Sequence, residues 1–218
     1  MVRSATGSLN LDIRHDAQFS VVRTALQILH QAWPSAVSDH RVSATSNEND
    51  ITNVLRQKMI AVKKAMTKPP NMRFEREAQS DADDDDTDLG LIDIMVCYTF
   101  NEQTYFVIEC KRIRSTDNDL ALKYVRNGTN RFASGKYSAG HAYGAMVGYV
   151  LCGNQHACVK RICAVLVTEP ATETGFDREH GWQRRSDVVP SVETGSTRHQ
   201  QKSHSNTIEL IHLFVDLK

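Results

Sequence analysis

The sequence predicts an α/β domain in which two helices precede the first strand, strands and helices then alternate, and a strand lies at the C-terminal end. Two amphipathic helical patterns precede any strand. Two apolar segments rich in β-branched and aromatic residues flank the polar tip Phe100-Asn101-Glu102, and helical and strand-like segments alternate from there to the C-terminus. The length of 218 residues suits one domain.

The two opening patterns are helical. Residues 16–33 carry apolar side chains at helical spacing and are predicted to end at Pro34, after a flexible lead over residues 1–15. Residues 51–68 repeat the helical spacing and are followed by Pro69-Pro70, which is predicted to stop the second helix. The chain therefore places two helices before its first strand.

The middle of the chain predicts strands. Residues 72–78 alternate weakly and carry many charges, which indicates a short strand at the margin of the sheet. The acidic run 81–88 repels itself and is predicted to be an extended surface connection. Residues 89–99 and 103–113 are rich in Ile, Val, Tyr and Phe, so they are predicted to form an antiparallel hairpin.

The second half of the chain alternates again between helix and strand. In chain order the predicted elements are a helix over 117–126 stopped by Asn127-Gly128, a buried strand over 144–152, a helix over 156–166, a long polar loop or insertion over 168–205, and a final strand over 206–217. Periodicity alone leaves a helix open for 144–152. The final strand is apolar on both sides, as expected when both faces are covered.

Composition narrows the class of protein. Lys plus Arg number 26 and Asp plus Glu number 26, so no overall positive charge points to nucleic acid, although a balanced total does not exclude a basic face. The five cysteines form no CxxC pair, which favours a reducing compartment. No run of roughly 18 apolar residues is present, so we expect a cytoplasmic protein without a membrane span.

Three ionisable residues are predicted to meet on the hairpin. Glu109 and Lys111 are two positions apart in one strand, so their side chains share a face. Asp93 and Glu109 are equally distant from Asn101, so a hairpin centred there sets them opposite each other with Cβ atoms about 5 Å apart. A register slipped by two residues keeps all three groups on one face, whereas a slip by one separates them.

Two facing carboxylates require compensation. Asp93 interrupts the apolar run 89–96, where an unpaired charge costs several kcal/mol to bury, and the usual remedies are a raised pKa or a bound cation. Mg²⁺ or Mn²⁺ suits such a pair, because a hard cation takes one or two carboxylates and leaves positions for water and phosphate oxygens. That chemistry favours phosphodiester hydrolysis, with Lys111 orienting the water. An ordinary cross-strand salt-bridge cluster is the alternative.

The segments Leu91-Ile92-Asp93-Ile94 and Phe106-Val107-Ile108-Glu109-Cys110-Lys111 resemble the signature of the PD-(D/E)XK, or restriction-endonuclease-like, nuclease superfamily. The resemblance implies that Asp93 and Glu109 bind Mg²⁺ and that Lys111 assists the attacking water, on a mixed sheet with helices on both sides. Ile92 stands where the motif has proline. The predicted order helix, strand, hairpin, helix, strand is similar to the core of that superfamily.

The resemblance covers about residues 47–151, so the first helix, residues 168–205 and the final strand fall outside it. We expect one nuclease-like domain over residues 16–218, with its core at about 47–167 and an extra N-terminal helix and C-terminal strand. Many members carry a further carboxylate at the start of the helix before the sheet, and Glu48 occupies that place, so it is predicted as a further catalytic and metal-binding residue. The alternative is that Thr45-Ser46-Asn47-Glu48 forms a capping box, in which Glu48 bonds only the helix-start amide.

A basic segment follows the hairpin. It contains Arg126, Arg131, Lys136, Tyr137 and His141 without an acidic residue, which indicates contact with a phosphate backbone, and Arg131 and Lys136 are the predicted nucleic-acid-binding residues. A solvated basic surface is the alternative.

The function expected from these observations is metal-dependent phosphodiester hydrolysis, with DNA favoured by the resemblance alone. The chain shows no separate recognition module, so a protein partner or self-association for targeting is expected, as in a subunit of a bacterial or phage-defence system. The alternative is a catalytically silent nucleic-acid-binding or scaffolding subunit with the same fold.

Overall fold

The structure, a computed structural model, describes residues 6–76, 92–98, 105–138, 141–202 and 206–217, with the backbone alone over 6–14. The helices are α1 (Thr6–Val37), α2 (Glu48–Ala65), α3 (Asn118–Tyr124), α4 (Asn130–Ala133), α5 (Gln155–Thr168) and α6 (Ala171–Thr174), with a π-turn (Val125–Thr129) between α3 and α4. The strands are β1 (Arg73–Glu75), β2 (Ile94–Cys97), β3 (Tyr105–Arg114), β4 (Tyr143–Cys152), β5 (Gln183–Arg184), β6 (Thr194–Gln200) and β7 (Thr207–Asp216).

These strands form one mixed sheet in the order β1-β2-β3-β4-β7-β6-β5. The β3–β4 and β4–β7 pairs are parallel, and the other pairs are antiparallel. Helices α1 and α2 share one apolar core with the sheet, while α3 and α5 share a second core on the other face. The predicted α/β architecture, a mixed sheet flanked by helices, is confirmed. Among the described residues, no helix combines the length and apolar composition needed to cross a membrane.

The hairpin has the predicted register. Ile94 pairs with Ile108 and Cys97 with Tyr105, so the strands are centred on Asn101. The edge position predicted for residues 72–78 is confirmed by β1, which pairs antiparallel with β2. The hairpin tip and the acidic run 81–88 lie outside the described residues.

Helix α1 is longer than predicted at both ends. It begins at Thr6, so the flexible lead predicted over residues 1–15 is wrong from residue 6 onward, and the helix continues through Pro34 to Val37. A proline this close to the end of a helix removes one amide donor, and its carbonyl still accepts from the Ser38 amide at 3.2 Å. Trp33 fixes this turn, because its ring stacks on Tyr149 and its Nε1 donates to a backbone carbonyl of β7.

The predicted helix stop at Asn127-Gly128 is also wrong. The chain passes from α3 through the π-turn directly into α4. Gly128 is buried, and a Cβ there would lie 2.5 Å from Met146 Cε and 3.5 Å from Lys111 Cγ. The glycine therefore allows close packing behind Lys111, whereas the sequence pattern suggested a helix end.

The prediction of a long polar loop over 168–205 is wrong as well, because β6 lies in this segment and pairs with β7 along its length. It carries no apolar side chain, yet five of its seven residues, Thr194–Thr197 and His199, are buried. Gly195 lies beneath the Trp182 indole, where a Cβ would overlap the ring. This strand lacks an apolar pattern because hydrogen bonds, rather than apolar contacts, satisfy its buried groups.

Those groups form a buried chain of hydrogen bonds between β6, β7 and α3. Tyr124 Oη lies 2.9 Å from His212 Nδ1, and Thr197 Oγ1 lies 2.7 Å from His212 Nε2 and 2.8 Å from His199 Nε2. The last contact in this series of hydrogen bonds joins His199 Nδ1 to the Thr174 carbonyl at 2.7 Å. Every donor finds an acceptor when both imidazoles are neutral. Burial lowers the pKa of His199 to about 4 and of His212 to about 3.

Acidification should therefore destabilise the fold. Both folded-state pKa values lie below the ordinary value of 6.5, so the unfolded chain takes up protons first, and stability present above pH 6.5 is lost as the pH falls toward 4. We expect a loss on the order of a few kcal/mol by urea unfolding, and a shallower pH dependence in His199→Gln. The exposed His156→Gln variant is the matched control. Equal slopes in His199→Gln and the parent chain would contradict this assignment.

Candidate active site

The site lies where β3 extends beyond the first residue of β2. The last pair of the hairpin joins Ile94 to Ile108, so the edge of β3 beyond this point has no strand partner among the described residues. Two carboxylates take the place of that strand: Asp93 Oδ2 accepts from the Cys110 amide at 2.8 Å, and Glu48 Oε2 accepts from the Arg112 amide at 3.0 Å. Because buried amides need acceptors, this open edge fixes both acids.

Lys111 lies at the centre of the acidic groups. Its Nζ is 2.7 Å from Glu109 Oε1, 2.8 Å from Glu48 Oε1 and 3.8 Å from Asp93 Oδ2. The same ammonium donates to the Cys110 carbonyl at 2.9 Å. The structure thus brings together the three residues of the predicted hairpin constellation, and Glu48 with them.

Glu48 reaches this centre from the first turn of α2. The cap of that helix is Asn47, whose side chain accepts from the Asp50 amide at 2.8 Å. The capping-box alternative for Glu48 is therefore wrong, since both of its carboxylate oxygens contact β3. The sequence placed an acid at the start of the helix, but only the packing of α2 against the sheet directs it to Lys111.

Arg131 is a member of the site that the sequence assigned to a different role. Its Nη1 donates to Glu109 Oε1 at 2.9 Å and to the Tyr137 hydroxyl at 2.8 Å. Glu109 is fully buried, and its second oxygen, Oε2, has no hydrogen-bond partner among the described residues. Lys111 and Arg131 thus hold one oxygen of Glu109 and leave the other uncommitted. The basic stretch in the sequence was the available signal, but the π-turn determines where Arg131 points.

Burial dominates the electrostatics of the site. It raises the pKa of Glu109 to about 8, with a further contribution from the negative charge of Asp93, and it also raises the pKa of Asp93. Burial alone would lower the pKa of Lys111, but the carboxylates of Glu109, Asp93 and Glu48 outweigh it and raise that pKa. Lys111 is therefore an ammonium ion at neutral pH, while Glu109 holds a proton for much of the time.

The donor set suits a hard cation. No group of three or more His, Cys, Asp or Glu side chains is arranged as a metal site within the described ranges, and the three carboxylates converge on the Lys111 ammonium instead. The residue types nevertheless fit Mg²⁺ or Mn²⁺, which bind carboxylate oxygens. The Oε2 atom of the buried Glu109 has no hydrogen-bond partner among the described residues, and it would be free to accept a cation once that carboxyl group loses its proton. Asp93, Glu109 and Glu48 are the residues that would hold the ion.

A cleft of about 610 Å³ gives access to this centre. It lies between the start of α2 and the segment of residues 118–133, which we call the α3 arm. Its lining residues are Asn47, Glu48, Asn49, Asp50, Lys111, Arg112, Leu120, Lys123, Asn127 and Arg131. Asp93 and Glu109 lie behind this lining, so a ligand reaches them past Lys111 and Glu48.

The rest of the predicted basic cluster does not line the cleft. Arg126 forms a bidentate ion pair with Glu169, at 2.7 and 2.8 Å. His141 lies 3.0 Å from the Tyr98 hydroxyl and contacts the Tyr143 carbonyl. Lys136, predicted to bind nucleic acid, is half-buried and is not among the lining residues, whereas Arg131 is.

Raising the pH from 6.5 to 8 in the presence of a chelator should lower the free energy of unfolding. The folded-state pKa of Glu109 lies above its ordinary value of 4.5, so in this window the unfolded chain has released a proton that the folded chain retains, and stability falls as the pH rises. We expect a loss of about 2 kcal/mol by urea denaturation. Glu109→Gln should remove this dependence.

The exposed Glu179→Gln variant is the matched control, because it removes the same charge without burial. A Glu109→Gln variant that retains the full pH dependence would show that another group is responsible.

No protein family, no curated protein and no solved structure matches this chain. The interpretation of the site therefore depends on its own geometry and chemistry.

Proposed function

We propose that this chain is a metal-dependent nuclease that hydrolyses phosphodiester bonds, with DNA as the expected substrate. The observation that carries the proposal is the buried cluster in which Lys111 contacts Asp93, Glu109 and Glu48 at the base of an open polar cleft. Two or three carboxylates beside a lysine form the donor set that metal-assisted phosphoryl chemistry requires.

Each side chain has a distinct part in this proposal. Asp93 and Glu109 offer oxygens for the ion, and Glu48 is an auxiliary ligand. When bound, Mg²⁺ or Mn²⁺ supplies Lewis-acid polarisation of a phosphoryl oxygen and lowers the pKa of the attacking water. The Lys111 ammonium, which lies beside both hairpin carboxylates, donates to that water and stabilises charge that develops on the phosphate.

The order of elements supports the proposal. From α2 to β4 the chain runs helix, edge strand, antiparallel hairpin, helix, parallel strand. This is the order that the resemblance to the PD-(D/E)XK superfamily implies, and within it Asp93 directly precedes β2 while Glu109 and Lys111 lie on β3. We include in the proposal that the domain has the restriction-endonuclease-like fold, and that a protein partner or self-association targets it.

A second candidate function follows from the same contacts. The Lys111 ammonium already neutralises the carboxylates, as in a structural salt-bridge cluster, so a silent nucleic-acid-binding or scaffolding subunit is the alternative. Metal binding separates the two, because only the enzyme requires the carboxylates to bind a divalent ion. Calorimetry should detect Mg²⁺ or Mn²⁺ binding to the parent chain and a loss of at least tenfold in affinity in Asp93→Asn.

The direct test is cleavage of DNA, supplied both as supercoiled plasmid and as single strands, in the presence of Mg²⁺ or Mn²⁺. We expect cleavage that a chelator abolishes and that Lys111→Ala or Asp93→Asn reduces about 100-fold or more, because both remove groups that act on the water or the phosphate. Circular dichroism and urea unfolding establish that the variants fold. Lys160→Ala, which removes an exposed lysine of α5, is the control. Cleavage that survives both site substitutions would exclude this centre as the source of activity.

Arg131 should act as a positioning residue. Its contact with Glu109 Oε1 holds that carboxylate and favours its ionised form, so Arg131→Ala should reduce the turnover number about tenfold and shift the acidic limb of the pH–rate profile upward. Arg131→Lys should restore part of both effects. Arg126→Ala is the control on the same arm. An unshifted profile in Arg131→Ala would assign Arg131 a purely structural role.

A further inference from the structure

The α3 arm presents a polar stripe to the cleft. Lys123, Asn127 and Arg131 are spaced by four residues, and all three line the cleft. In an α-helix such positions drift slowly around the axis, and the wider π-turn between them offsets that drift. The segment that the sequence predicted to end at Asn127-Gly128 therefore continues as one wall of the cleft.

Two members of this stripe are uncommitted. Lys123 and Asn127 are exposed and form no hydrogen bond or ion pair within the described ranges. The neighbouring Arg126, by contrast, is held by Glu169, and Arg131 is held by Glu109. Lys123 thus adds an exposed positive charge, without an ion pair among the described residues, to the lining of the cleft that also contains Lys111.

The lining as a whole favours an anionic ligand. Its cations are Lys111, Arg112, Lys123 and Arg131, and its acids are Glu48 and Asp50. Glu48 is already bonded to Lys111 and to the Arg112 amide. Leu120 is the apolar residue of the lining, and no aromatic side chain is among the lining residues of the described chain. Phosphates, rather than stacked bases, are therefore the groups that this surface can recognise.

The size of the cleft selects the form of the ligand. Its 610 Å³ lies within the range of ~300–1,000 Å³ typical of sites for small ligands. Below it, the Lys111 side chain is 11% exposed and Glu109 is fully buried. To reach Lys111 and Glu109 a phosphate must enter the cleft, and a few nucleotides of one strand can do so more easily than a continuous duplex, because its two paired strands form a wider rod.

We infer that the cleft binds a single nucleic-acid strand by its phosphates. Lys123 and Asn127, on the α3 arm, contact the phosphates of that strand beside the catalytic centre. The inference rests on the proposed nuclease function and specifies its substrate class: single strands or unpaired ends, bound without base specificity. Under this inference, Lys123 and Asn127, rather than the predicted Lys136, contact the phosphate backbone of the strand together with Arg131.

Fluorescence anisotropy in the presence of a chelator, which prevents cleavage, tests this inference. The probes are a labelled twelve-nucleotide deoxythymidine strand, a mixed-sequence strand of equal length, and the duplex of the latter. We expect similar affinities for the two single strands and at least fivefold weaker binding of the duplex. Lys123→Ala should weaken strand binding about three- to tenfold and reduce the salt slope by about one, with a further loss in Lys123→Ala/Asn127→Ala.

Lys160→Ala and Lys136→Ala are the controls, since both remove a lysine outside the cleft lining. Lys123→Ala binding like Lys160→Ala, a duplex bound as tightly as a single strand, or no binding by the parent chain would each overturn the inference. DNA cleavage that Lys111→Ala abolishes but Lys123→Ala leaves unchanged would overturn the inference while leaving the nuclease proposal in place. Strand binding that depends on Lys123 without any metal-dependent cleavage would uphold the binding site and contradict the nuclease.

Discussion

The edge of β3 beyond Ile108, which pairs with no strand among the described residues, is the constraint on which the rest of the site depends. There the Cys110 and Arg112 amides would lie at the edge without acceptors, and Asp93 and Glu48 supply them. These bonds are made to the backbone, so they fix the positions of the two carboxylates independently of any ligand. They also explain why Asp93 occupies an otherwise apolar run and why Glu48 turns toward the sheet: each supplies the acceptor that a strand carbonyl would otherwise provide.

Once those acids are fixed, their negative charge acts on the pKa values of the neighbouring Glu109 and Lys111 side chains. Burial and neighbouring negative charge raise the pKa of Glu109, and the same field keeps Lys111 protonated. Lys111 and Arg131 both contact one oxygen of Glu109, while its other oxygen, Oε2, has no hydrogen-bond partner among the described residues. The cluster is therefore not fully satisfied within that part of the chain, and buried groups with shifted pKa values of this kind are candidates for a functional site.

The two faces of the sheet contribute different parts of the site. Helix α2, from one core, carries Glu48 around the open edge, and the α3 arm, from the other core, carries Lys123, Asn127 and Arg131. The cleft forms where the two layers meet over β3. The buried chain from Tyr124 through His212 to His199 ties this arm to β7 and β6, so the wall of the cleft is connected to the opposite half of the sheet.

The sequence by itself determined the hairpin, its register and the shared location of Asp93, Glu109 and Lys111, because strand alternation and turn symmetry are local rules. It also determined the order of most helices and strands, since these have strong apolar patterns. Only the tertiary structure decided that Glu48 bonds β3 rather than its own helix. It also decided that Arg131, which follows a π-turn that the sequence did not predict, contacts Glu109. It alone placed β6 in the sheet. These features depend on contacts between residues far apart in the chain, where buried polar groups find distant partners and local propensity carries no signal.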